Sequence, residues 1–116
     1  IPANIEQLFT PSETRPNYIF QTFLYASIMC RQQTLKVAPA LLYIHRAASD
    51  SYSPVIEMGE PRQPKIPVNN FTFFEDEFRK RLQTLLEEIF SENEPFTQTE
   101  DIKKCSYCDF KAICKR

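Results

Sequence analysis

The stretch NYIFQTFLYASIMCRQQ, residues 17–33, decides how the chain is read. Ile19, Phe20, Phe23, Leu24 and Ile28 fall at i, i+1, i+4, i+5 and i+9, a broad apolar face at helical period. Pro16 suits a first helical turn, and Arg31 stands near the end, where a cation favours the helix dipole. The spacing predicts a helix over 17–33 that buries one side. Gln21 and Tyr25 are four apart, so a helix carries their polar tips on one face. A Gln amide both donates and accepts, which suits holding a water, a carboxylate or a phosphate oxygen. A Gln that merely faces solvent is the plainer alternative.

A second helix is predicted over about 73–92. Thr72 and Glu75 fit the capping-box pattern T-x-x-E. Behind them Phe74, Phe78, Leu82, Leu85 and Ile89 keep i+3/i+4 spacing. Glu75, Asp76 and Glu77 cluster at the helix start, where they read as dipole partners rather than as an acidic site.

Between the helices, Leu41-Leu42-Tyr43-Ile44 is a short continuous apolar run, and 40–46 reads as a buried strand. Residues 48–51 make a turn, and 52–58 alternate loosely, as a second, antiparallel strand would. Pro54 marks it as an edge strand. Residues 59–70 hold three prolines and the only Gly, and read as an extended surface connection. Residues 1–16 read as a looped lead-in carrying Ile5, Leu8 and Phe9, with a helical turn or docking segment there. Residues 93–104 read as a polar connector anchored by Phe96. The expected class is mixed α+β, with two long helices packed on a small sheet.

The chain has 116 residues, enough for one domain, and a net charge of −1. No global basic field advertises nucleic acid, so any basic surface must be local. Neither a membrane span nor a signal peptide is visible, and a cytoplasmic location without membrane contact is expected. The chain opens Ile1-Pro2-Ala3 without Met, so a piece of a longer protein is expected.

The tail reads Cys105-Ser106-Tyr107-Cys108-Asp109-Phe110-Lys111-Ala112-Ile113-Cys114. Three thiols at C-x2-C-x5-C spacing suit one metal or cluster held from a single loop. Two disulfides and plain thiols are the alternatives, and the lack of a secretion signal argues against disulfides. Cys30 reads as a buried small hydrophobe. As a local fourth ligand it would make zinc plausible instead.

The catalytic inventory is short. His45 is the one histidine and reads as a structural residue at a strand end. With a single Gly there is no G-x-S-x-G, P-loop or GxGxxG. No E-x-K occurs, and no complete active site is visible.

Q-T-x-x-Y-A on a helix, a strand pair, a long helix, and then Phe96-Thr97-Gln98-Thr99 before the cysteine loop resemble the C-terminal part of PD-(D/E)XK nucleases of the RecB-like kind. The nearest likeness is to the iron–sulfur subgroup that includes AddB-type subunits of bacterial helicase–nucleases. It covers the chain from about Asn17 onward. It implies a fragment of a restriction-endonuclease-like fold, with 1–116 as part of one nuclease domain and 93–116 as a cysteine-rich clasp. The implied activity is Mg2+-assisted hydrolysis of DNA phosphodiesters in recombinational repair, beside a helicase-type partner. Gln21 and Tyr25 match the family's motif Gln and Tyr, in supporting catalytic roles. Cys105, Cys108 and Cys114 would be three ligands of a [4Fe–4S] cluster, the fourth lying upstream with the metal-binding Asp and the E-x-K pair. The fragment alone is expected to be inactive. A small zinc- or cluster-binding interaction module is the alternative.

Overall fold

The computed structural model describes residues 1–32 and 36–116. In chain order the elements are α1 (Glu6–Phe9), α2 (Asn17–Gln32), a 3-10 turn (Ile44–Arg46), β1 (Glu57–Met58), β2 (Ile66–Pro67), α3 (Thr72–Phe90) and α4 (Ile102–Ser106). The mixed α+β class is as expected: two long helices and a small antiparallel sheet. The predicted first helix is α2; its last residue, Gln33, lies outside the described residues.

Phe78 of α3 is the hub of the core. Its ring centroid lies 5.3 Å from Phe9, 5.7 Å from Phe20, 6.2 Å from Phe23 and 5.8 Å from Phe71. All the pairs are tilted or edge-on, as the ring quadrupole prefers. Phe23, Phe71 and Phe78 are fully buried. Ile5 and Leu8 close one side, so the lead-in is a docking segment that packs as α1. Ile56, Met58 and Val68 close the other from the sheet.

The sheet is smaller than the sequence predicts and is shifted along the chain. Strand 40–46 does not form. Ala40 bridges Val55 antiparallel, and Leu41 N–H donates to Pro54 O at 2.8 Å. Proline has no N–H, so the return bond to Leu41 O cannot come from Pro54. The Tyr52 hydroxyl takes its place: it donates to Leu41 O at 2.6 Å and accepts from Tyr43 N–H at 2.7 Å. The backbone then curls into the 3-10 turn, leaving Leu42 and Ile44 exposed instead of buried.

Of the predicted strand 52–58 only Glu57–Met58 enters a ladder. Its partner is Ile66–Pro67, from the stretch read as a connection, in the register Glu57↔Pro67 and Met58↔Ile66. The lone glycine lies between them. Gly59 has φ of 154°, its N–H donates to Pro2 O at 3.0 Å, and Lys65 Nζ reaches its carbonyl at 2.8 Å.

The capping box is also absent. Thr72 is already helical, Phe71 occupies the cap position, and Thr72 N–H donates to Asn70 Oδ1 at 3.2 Å. Glu75 turns toward α2 instead. Phe96 anchors nothing, being 93% exposed.

Candidate functional site

The exposed face of α2 carries the first candidate residues. Helical spacing puts Phe23 and Ala26 into the core, which turns Gln21 and Tyr25 outward. Gln21 Nε2 donates to Tyr25 Oη at 3.2 Å. The amide carbonyl of Gln21 and the hydroxyl proton of Tyr25 stay free to meet a ligand, because this bond uses one amide N–H and one phenol lone pair. Thr22 does not join them; its hydroxyl donates back to Tyr18 O.

The cysteine tail is built of successive turns. Cys105 lies in the last turn of α4, Cys108 N–H donates to Cys105 O at 3.1 Å, and Cys114 N–H donates to Phe110 O at 3.3 Å. Gln98 closes the loop from outside, its amide donating to Cys114 O at 3.1 Å and accepting from Arg116 Nε at 3.1 Å. All four cysteines are free, and Cys108 is the most open of the tail's three. Thiolate chemistry suits an iron–sulfur cluster or zinc. The arrangement does not: among the described residues no three His, Cys, Asp or Glu side chains gather closely enough to hold a metal ion. The tail thiols as placed therefore do not fit a cluster without rearrangement of their side chains.

The acidic residues at the start of α3 disperse. Glu75 accepts from Ser27 Oγ at 3.4 Å, Asp76 pairs with Arg79 at 2.8 Å, and Glu77 pairs with Arg81 at 3.0 Å. Of the three, only Glu75 lies in the first turn, where the dipole acts. The Ser27–Glu75 contact had no sequence signal, since 48 residues separate its members. Two acid-x-lysine triplets that an E-x-K search passes over are Asp101-Ile102-Lys103 and Asp109-Phe110-Lys111. The first is used up structurally: Asp101 caps α4 and pairs with Lys104, while Lys103 pairs with Glu13 at 2.8 Å.

His45 is exposed on the 3-10 turn rather than at a strand end, with its ring 6.1 Å from Tyr43. It borders an open cleft of about 690 Å³ shared with Arg46, Ser49 and Tyr52. Cys30 packs at the edge of the core, as a small hydrophobe would. Burial pushes its thiol above the ordinary 9.0, and the Glu75 carboxylate pushes the same way.

Among the described residues no helix is long and apolar enough to cross a membrane. A search of curated proteins and a search of solved structures each found no match. One protein-family model, that of the PD-(D/E)XK nuclease superfamily, matches residues 7–115. That span runs from within α1 through α4, including the Gln21–Tyr25 pair and all three tail cysteines, and by it the chain belongs to the PD-(D/E)XK nuclease superfamily.

Proposed function

We propose that this chain is the C-terminal part of a nuclease domain that hydrolyses DNA phosphodiesters with Mg2+, in a helicase–nuclease acting in recombinational repair. The observation that carries the reading is the family match over 7–115. The hydrogen-bonded Gln21–Tyr25 pair, presented outward from a helix locked into the core, supports it. The metal-binding Asp and E-x-K residues come from upstream chain in this reading. When bound, Mg2+ supplies charge stabilisation and an activated water. Gln21 and Tyr25 act by positioning: the amide carbonyl and phenol proton orient a water or a backbone phosphate. In this reading Cys105, Cys108 and Cys114 would be three thiolate ligands of a [4Fe–4S] cluster closed by an upstream cysteine, and their side chains would have to turn together to hold it. Donor type and spacing support that assignment.

The test is cleavage of linear DNA by the intact protein with Mg2+. Gln21→Ala should lower kcat about 10- to 100-fold, the scale of a misplaced reacting group, with the melting curve unchanged. Residues 1–116 alone should not cleave. Intact protein that leaves DNA whole in Mg2+ would refute the reading, as would a Gln21→Ala variant of wild-type rate.

A further inference from the structure

The tail's three thiols do not gather as a metal requires, but two of them share one turn. Cys108 N–H donates to Cys105 O at 3.1 Å, an i→i+3 bond that closes the turn. Its first central residue, Ser106, is the last of α4, and its second, Tyr107, has φ of −101° and ψ of 5°, which makes it type I. Such a turn holds its end Cα atoms within about 7 Å, and a disulfide takes Cα atoms about 4.4–6.8 Å apart. The backbone thus sets Cys105 and Cys108 within bridging range. The bond that does so lies inside residues 105–108, so the pairing does not depend on what packs over the loop.

The other two cysteines are held elsewhere. Cys114 N–H donates to Phe110 O, and the Cys114 carbonyl accepts from Gln98 Nε2 at 3.1 Å, which ties it to the connector before α4. Cys30 packs on α2 at the edge of the core. Within the pair, Cys108 is exposed and Cys105 half-buried. Exchange chemistry uses that order, with an outer sulfur to attack and an inner one to resolve.

We propose that Cys105 and Cys108 are a redox-active pair, which closes into a disulfide by exchange with a small-molecule disulfide whenever the tail holds no metal. The Cys108 sulfur displaces one half of the small disulfide, which leaves as a thiol. Cys105 then displaces the other half from Cys108 Sγ. Two protein thiols are oxidised, one small disulfide is reduced to two thiols, and the two protons end on those thiols. The pairing stands without the nuclease reading. Within that reading, the disulfide withdraws two of the three thiols assigned to the cluster, so an oxidised tail must be reduced before it takes up metal.

The experiment uses the intact protein, stripped of metal by a chelator under reductant, desalted and held with excess glutathione disulfide. Remaining thiols are alkylated, and tryptic peptides are weighed. Cleavage after Lys104 and Lys111 releases Cys105 and Cys108 together and leaves Cys114 in another peptide. The first peptide should be two hydrogens lighter and carry no alkyl group, and a dithiol reductant should restore both thiols. Cys105→Ser should abolish the bridge and leave glutathione on Cys108, whereas Cys114→Ser should leave the bridge intact. Wild-type protein in which Cys114 bridges to either partner would overturn the proposal. So would Cys105 and Cys108 that both stay open to alkylation throughout. Intact protein that leaves DNA whole in Mg2+ would refute the nuclease reading while the peptide masses stand.

Discussion

Ser27 Oγ donates to Glu75 Oε1 at 3.4 Å, joining α2 to α3 through the only buried polar residue among the described residues. The same carboxylate receives Arg79 Nη2 at 3.5 Å. Ser27 and Cys30 lie three apart on α2, so both look across to the first turn of α3. Glu75 thus does more than complement a helix dipole. It sits in a polar seam at the edge of an aromatic core, and it bears on the Cys30 thiol.

The seam makes stability depend on alkaline pH. Burial, then Glu75, raises the Cys30 thiol above 9.0, with a Thr72 hydrogen bond opposing. The folded state therefore holds its thiol proton more tightly than the unfolded chain does. That contribution is complete below the unfolded thiol value and is lost as pH rises through the folded one. Unfolding by urea at pH 8 and at pH 10 should show wild type losing more stability than Cys30→Ala. Equal losses would show that the thiol is not linked to folding.

Tyr52→Phe tests the substitute for the missing ladder bond. It removes the donor to Leu41 O and the acceptor for Tyr43 N–H while keeping the ring. The expected loss is about 1–3 kcal/mol, the cost of part-buried backbone groups left without partners. A denaturation midpoint within error of wild type would mean that water satisfies both groups.

Gly59→Ala tests the turn between the strands. A Cβ there would stand 3.1 Å from Pro64 O, a backbone atom, and φ of 154° suits only glycine. A loss of about 1–3 kcal/mol is expected. An unaffected melting temperature would show that the connection relaxes freely.

Cys108→Ser in the intact protein tests the clasp. Iron content and thermal stability should fall together, and DNA binding should weaken before the cleavage rate per bound complex changes. Iron-free wild-type protein, or a variant as stable as wild type, would rule out a structural cluster at these cysteines.

Contacts between near neighbours in sequence were legible. The Gln21–Tyr25 hydrogen bond follows from four-residue spacing on one helix, and the burial of Phe23 and Phe78 follows from apolar period. The Phe96 anchor and the strand over 40–46 were not, because an apolar side chain reads the same whether or not a partner surface arrives. Leu42, Ile44 and Phe96 found none. The capping box failed because the helix starts one residue early, with Phe71 at the cap and Thr72 already inside it, and Glu75 faces Ser27 on another helix, 48 residues away in the chain.

By itself the sequence determined two long helices, one outward Gln–Tyr pair and three thiols in ten residues, since each depends on spacing within a few turns of chain. Only the tertiary structure decided which strands pair, that Phe78 is the hub where α1, α2 and α3 meet, and that the tail's rings face solvent while its thiols stay apart. These depend on which surfaces meet, and for that the chain must first bring distant residues together.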